Sequence, residues 1–215
     1  PEYVEFAARH ADGEAVAFLG EIDYSTLFVP LILCPVPHGA SASALSRDAS
    51  SPYGYASPLF KAAGCPENEP RLWQLFSECC HDHGIVSVFM RSNPLLQTPL
   101  QISADATVVR EGETVFIDLD KSEEELRQQT RANHRKNIRK LKDAGYHVLE
   151  NDWSYLDGFV ELYHATMQRV GADGYYRFSR AYFHELATLV PGKVHLFSVL
   201  SGDGELAAAG LFFSH

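Results

Sequence analysis

Long apolar runs are missing from this 215-residue chain. The longest, residues 27–36, is interrupted by Pro30 and Pro35, and it falls well short of the roughly 20 residues that a membrane-spanning helix needs. No membrane span is expected. Residues 1–10 also lack the basic patch followed by an apolar stretch that marks a signal peptide. Cysteine is scarce, with only Cys34, Cys65, Cys79 and Cys80. An adjacent pair without a regular framework is not a secreted disulfide scaffold, so a reducing, cytoplasmic setting is expected. There is no Gly-x-Ser-x-Gly elbow and no P-loop, which removes support for hydrolase and NTPase chemistry. Cys79, Cys80, His81 and His83 are close in sequence. Consecutive helical residues point around the circumference, however, so only Cys79 and His83 share a face, two ligands short of a tetrahedral site. No metal is expected.

Basic charge is short in the first part of the chain. Residues 1–120 hold 16 acids and 6 bases, whereas 121–215 hold 12 of each, so the whole net charge of −10 arises before residue 121. Such a chain is not expected to coat nucleic acid or anionic membrane over its whole surface, and any anionic partner must be met locally.

What is present is a mixture of strand and helix signals. Residues 14–19 and 26–36 are rich in β-branched and apolar residues bounded by Gly and Pro, and read as strands. Residues 37–58 read as a long loop in which Tyr53 and Tyr55 suggest local packing. A helix is expected over 69–83, stopped by Gly84. Strands are expected over 85–91, 106–110 and 114–119, the last two joined by a turn at 111–113.

Ser122 followed by Glu125 is a capping-box pattern, and the acids at 123–125 suit the positive end of a helix dipole. The spacing predicts one helix over 123–144, ended by Gly145, then a short strand over 146–150. Leu156, Phe159, Val160, Tyr163 and Met167 give an amphipathic helix over 154–170. Ser179 is positioned to cap another helix carrying Tyr182, Phe183, Leu186 and Val190. A hairpin over 193–200 and 205–213 turns at Ser201-Gly202-Asp203-Gly204.

The most unusual local feature is 127–142, with seven bases and no acid. On a continuous helix Arg127, Arg131, Arg135 and Arg139 fall in one i, i+4 row. Guanidinium groups bind phosphate bidentately, so the row is a candidate anion site. It also fits a solvated face that offsets the acidic first part.

Four stretches follow one another in order: Arg131-Ala-Asn-His-Arg-Lys-Asn-Ile-Arg-Lys-Leu-Lys-Asp-Ala-Gly145, Phe159-Val-Glu-Leu-Tyr-His-Ala-Thr-Met167, Tyr175-Tyr-Arg-Phe-Ser179 and Glu205-Leu-Ala-Ala-Ala-Gly210. Together they resemble Fem-type peptidoglycan aminoacyltransferases and related GNAT-like acyltransferases. Upstream, Ser51-Pro-Tyr-Gly-Tyr55 and Phe89-Met-Arg-Ser-Asn-Pro-Leu-Leu96 are similar to segments of the first domain of that group.

The resemblance implies an α/β protein of two GNAT-like domains, with boundaries expected at 1–144 and 145–215. The second is expected to be truncated, because the strand and helix N-terminus that hold the donor in ordinary GNAT proteins would follow His215. The implied activity is acyl or aminoacyl transfer onto an amine of a peptidoglycan precursor or similar polar acceptor. The donor is aminoacyl-tRNA or acyl-CoA, and no cofactor is expected within the chain.

Tyr163, Tyr175 and Tyr176 lie where the acceptor approaches in the family arrangement, and a phenol can position an amine or pass a proton. They also read as core or rim aromatics, since Tyr is commonly buried with its hydroxyl paired. Tyr53, Tyr55 and Arg91 are candidate substrate contacts in the first domain, or packing of a long loop. Two other readings stay open: a CoA-dependent N-acetyltransferase of a small molecule, and a non-catalytic module holding nucleotide or RNA on the basic row.

Overall fold

A computed structural model of the chain describes residues 2–36, 46–62, 65–96, 106–110, 112–189 and 191–214. They form two compact units, Pro1–Thr114 and Val115–His215.

The first unit begins with a helix the sequence pattern did not suggest, α1 (Glu2–His10), which has acids in its first turn and bases in its last. Strands β1 (Glu14–Ile22) and β2 (Ser25–Pro35) pair antiparallel, with Glu14 opposite Leu33 and Ile22 opposite Ser25. The expected loop at 37–58 contains a strand, β3 (Arg47–Ser50), which pairs with β2. Arg-Asp-Ala-Ser has little strand propensity of its own, and two neighbours hold it in the sheet. Residues 37–45 of that loop lie outside the described residues. Strand β4 (Leu59–Lys61) also pairs with β2. Helix α2 (Asn68–Asp82) leads to β5 (Ile85–Phe89), which runs parallel to β3. The sheet order is β1-β2-β3-β5.

Alternation along β2 sends Leu27, Val29 and Leu31 to one face, where they pack with Ala49 and with Leu72, Trp73, Phe76 and Cys80 of α2. Ile32 points the other way, onto Ala7 and Ala8 of α1. The sheet is thus covered on both sides.

Residues 106–110 and 114–119, expected as paired strands, join no ladder among the described residues, and Glu111 of their expected turn lies outside them. Val108, Val109, Val115, Phe116, Ile117 and Leu119 are exposed. β-propensity measures fit to a half-buried pleated surface, and here no strand supplies that surface.

In the second unit, α3 (Glu123–Gln129) and α4 (Ala132–Asp143) replace the single expected helix. Next come β6 (His147–Glu150), a 3-10 turn at Trp153–Tyr155, α5 (Leu156–Arg169), α6 (Arg180–Leu189), β7 (Val194–Leu200) and β8 (Leu206–Phe213). Val190, expected at the end of α6, lies outside the described residues.

The sheet is antiparallel in the order β6-β7-β8. Val194, Leu196, Ser198 and Leu200 alternate inward from β7 and are buried, as are Leu156, Phe159 and Val160 of α5 and Tyr182, Phe183 and Leu186 of α6. Gly145 and Gly204 are among the glycines that backbone geometry requires. Gly145 ends α4 at φ +84°, and Gly204 closes the β7–β8 turn at φ +82° with its N–H on the Ser201 carbonyl at 3.0 Å.

Candidate functional site

The capping box at α3 is formed as expected. The Ser122 N–H donates to Glu125 Oε2 at 2.9 Å, and the Glu125 N–H donates to Ser122 Oγ at 3.4 Å. The row of four arginines is not formed, because Thr130 (ψ 130°) and Arg131 (ψ 140°) are both extended and break the helix. The Thr130 hydroxyl and N–H both donate to the Leu126 carbonyl, at 2.9 and 3.1 Å, taking up an acceptor at the end of α3.

Each arginine then has its own setting. Arg127 pairs with Glu124 at 2.9 Å. Arg131 occupies the N-cap position of α4 without a side-chain capping bond. Arg139 is exposed on α4. Arg135 turns back to donate to the carbonyls of Arg127 (3.2 Å), Gln128 (3.3 Å) and Thr130. These are the orphan acceptors and the negative dipole end of α3. A cation in the first turn of α4 is unfavourable by itself; the end of α3 offsets that.

Glu124 is held down to about 2 by hydrogen bonds from Arg127 and then Gln128, with the Arg127 charge behind them. Glu125 is lowered by the Ser122 hydroxyl and then by its backbone N–H. Both folded values lie below the unfolded one, so their contribution to α3 is fully present above the ordinary 4.5 and is lost as pH falls toward about 2. Acid titration followed by NMR carbon shifts of 123–129 should therefore show α3 fraying in that window. Helical shifts that persist unchanged through it would contradict the capping geometry.

The best-organised polar and aromatic cluster is the connection between α5 and α6. Helix α5 forms because Leu156, Phe159, Val160 and Tyr163 recur at helical spacing, the first three buried and Tyr163 half-buried beside them. Asp157 near its start accepts from Arg180 and from His184 (2.8 Å) of α6. The His184 bond chiefly, with the Arg180 charge, keeps the Asp157 carboxyl below its usual range.

The connection itself hangs from α5. The Tyr163 hydroxyl donates to the Tyr176 carbonyl, and His164 Nε2 lies 2.7 Å from the Phe178 carbonyl. Asp173 accepts from the Tyr175 N–H at 2.9 Å and starts the 3-10 turn Gly174–Tyr176. Tyr175 and Tyr176, both exposed, meet edge-on at 5.2 Å. The Ser179 hydroxyl takes the Tyr182 N–H at 3.1 Å, as expected of a cap.

Beside this loop a groove of about 280 Å³ runs between Phe159, Leu162, Tyr163 and Thr166 of α5 and Ala207, Ala208 and Ala209 of β8. Tyr163 belongs to both features: its ring walls the groove and its proton is engaged by the loop. The structure therefore brings Tyr163, Tyr175 and Tyr176 together. Sequence reasoning missed His164, since an exposed histidine in a helix carries no pattern of its own.

Tyr53, Tyr55 and Arg91 lie on two adjoining segments of the first unit. The Ser51 N–H donates to the Phe89 carbonyl at 2.8 Å, the Arg91 N–H to Ser51 Oγ at 3.1 Å, and the Asn93 N–H to Ser57 Oγ. Tyr53 accepts from the Tyr3 hydroxyl through its carbonyl at 3.1 Å, and the Arg91 guanidinium sits 4.9 Å from the Phe89 ring centre.

The cysteines are free. Burial, then the neighbouring Cys79, pushes Cys80 up to about 11. Cys79 Sγ lies 3.7 Å from His83 Nδ1, but that nitrogen is 2.9 Å from the Cys79 carbonyl, which only accepts, so it carries a proton and is no base for the thiol. Among the described residues no three His, Cys, Asp or Glu groups gather to hold a metal, and no helix is long and apolar enough to cross a membrane.

A Ser-His pair also occurs, with His195 Nε2 3.0 Å from Ser214 Oγ. Asn151 Oδ1 accepts the Leu196 N–H at 3.1 Å, so the Asn151 amide nitrogen, 3.3 Å from His195 Nδ1, donates to it. On a neutral ring this places the proton on Nε2, facing the serine, and a charged ring, paired with Glu150 Oε1 3.7 Å from Nδ1, carries a proton on both nitrogens, so neither form is a base for Ser214.

The unit that holds the α5–α6 connection also has the order strand, two helices, and a two-stranded hairpin. Residues 128–215 match the family model of an acetyltransferase (GNAT) domain. No curated protein matches the chain. The GNAT match covers α4 through β8 and supports acyl transfer, in general terms, as the chemistry of this part of the chain.

Proposed function

We propose that the protein moves an acyl or aminoacyl group onto an amine of a peptidoglycan precursor or a similar polar acceptor, as a Fem-type relative with two GNAT-like domains. One observation carries the reading: the segment matching a GNAT domain contains a braced, aromatic loop beside a groove, formed by α5, the α5–α6 connection and β8.

In this reading the amine approaches over Tyr175 and Tyr176, and the donor is aminoacyl-tRNA or acyl-CoA. Rate comes mainly from holding amine and acyl carbonyl together, which can supply much of the barrier reduction. The Tyr163 phenol acts as a wall and brace, because its hydroxyl already donates to the Tyr176 carbonyl. Arg131 and Arg139 remain available for phosphates of a nucleotide-linked substrate. Arg135 is committed to the end of α3. Tyr53, Tyr55 and Arg91 would serve as acceptor contacts of the first unit.

The test is a turnover assay on the natural gene product, with a UDP-linked muropeptide and with free lysine as amines, each offered aminoacyl-tRNA and acetyl-CoA. Transfer from aminoacyl-tRNA to the muropeptide is the expected result. Transfer only from acetyl-CoA to lysine would replace it with a small-molecule N-acetyltransferase. Anion binding without turnover would leave a binding module.

A further inference from the structure

We propose that His164 is a positioning residue for the acceptor, acting through the α5–α6 connection without touching the substrate; this rests on the acyl-transfer reading above. Tyr163 and His164 are consecutive in α5, and their side chains leave the helix about 100° apart. Yet both reach the same loop, taking the carbonyls of residues 176 and 178. A carbonyl only accepts, so the His164 nitrogen at 2.7 Å carries its proton and donates.

Between these two fixed carbonyls lies Arg177, and the first of them belongs to the exposed Tyr175 and Tyr176 pair. The Tyr163 anchor is also packed, with its ring 4.9 Å from Phe183 and stacked on Phe178 at 6.3 Å. His164 is exposed; its ring makes a tilted contact with Tyr163 at 5.8 Å, and its hydrogen bond to the Phe178 carbonyl is its tie to the loop among the described residues. The Phe178 ring stays stacked on Tyr182 at 4.3 Å and edge-on to Phe183 at 6.2 Å, so loss of the His164 bond loosens the loop backbone ahead of this ring anchor and leaves the buried cluster closed. A residue of this kind should govern how well the loop is preorganised for a ligand and leave both fold and chemistry alone.

The experiment compares wild type, His164→Leu, His164→Ala and His164→Gln in the natural gene product, using whichever of the muropeptide or lysine and aminoacyl-tRNA or acetyl-CoA pairs the wild type turns over. Hydrogen exchange of the amides at 174–178 is measured alongside. His164→Leu and His164→Ala are expected to raise the acceptor KM about tenfold, the worth of one hydrogen bond. Expected kcat and donor KM stay within about twofold, with faster exchange in the loop. His164→Gln, whose amide can still donate to the Phe178 carbonyl, should restore acceptor KM and slow exchange. Wild-type turnover with an acceptor KM unchanged in both apolar variants overturns the role of His164 alone, as does a His164→Gln variant as impaired as His164→Leu. Wild type that turns over no pair overturns the functional reading, and this role with it.

Discussion

Replacing Trp73 with alanine is expected to destabilise the first unit by about 3–5 kcal/mol, the range for deleting a large aromatic from a packed core. Trp73 is 1% exposed and lies in α2 against the face of β2 that carries Leu27, Val29 and Leu31. Its ring meets Phe76 edge-on at 5.7 Å, and Phe76 in turn meets Phe18 of β1 at 5.3 Å. Two costs add. The cavity removes dispersion contacts from every side, and the indole N–H no longer satisfies Glu69, a buried carboxylate 3.4 Å away. Trp73→Phe keeps most of the volume but still strands Glu69, so it should fall between wild type and alanine. Urea unfolding followed by circular dichroism measures both. A loss below about 1 kcal/mol for the alanine variant would mean that α2 does not organise this core.

The second large effect is expected at Arg135. Arg135→Ala should cost about 1–2 kcal/mol, because three carbonyls at the end of α3 lose a charged donor and the dipole loses its counter-charge. Part of that gross value is returned by water, since two of the three bonds are at exposed positions. Arg135→Lys should recover only a fraction, as an ammonium is a point donor that cannot span several carbonyls as the planar fork does. Arg139→Ala is expected to be neutral within about 0.5 kcal/mol. Thermal melts, together with hydrogen exchange at 127–130, rank the three. If Arg139→Ala cost more than Arg135→Ala, the fold-back of Arg135 would be refuted and the single arginine row would regain its footing.

That row shows where sequence reasoning ran out. Seven bases without an acid over 127–142 are plain to read, and so is the Ser122 and Glu125 capping box that starts α3. Thr130 is neither Gly nor Pro, and its breaking of the helix depends on its hydroxyl capturing the Leu126 carbonyl and on Arg135 reaching back across the gap. Both are contacts among residues already folded, which spacing does not encode. Where local signals agree with the fold, boundaries are recovered closely: Ser179 caps α6, and Ser201-Gly202-Asp203-Gly204 turns β7 into β8.

Propensity misled in both directions. Residues 115–119 have strand-forming side chains but no ladder partner among the described residues, whereas Arg47–Ser50 has few and is a strand because β2 and β5 flank it. At the candidate site, the grouping of Tyr163, Tyr175 and Tyr176 was legible only through family resemblance. The brace from His164 was not legible, since a histidine one residue after a half-buried tyrosine becomes informative only when the loop it holds is in view.

The central claim is that this protein joins an acyl group to an amine, and the bond formed is the most direct evidence for it. Product from the natural gene product, an amine acceptor and a labelled acyl donor should carry the label in an amide that survives neutral hydroxylamine and should lack the titratable amine of the starting acceptor. A label released by hydroxylamine would mark an ester or thioester, and an acceptor recovered unlabelled with every donor would mark no transfer. Either result would contradict acyl transfer to an amine.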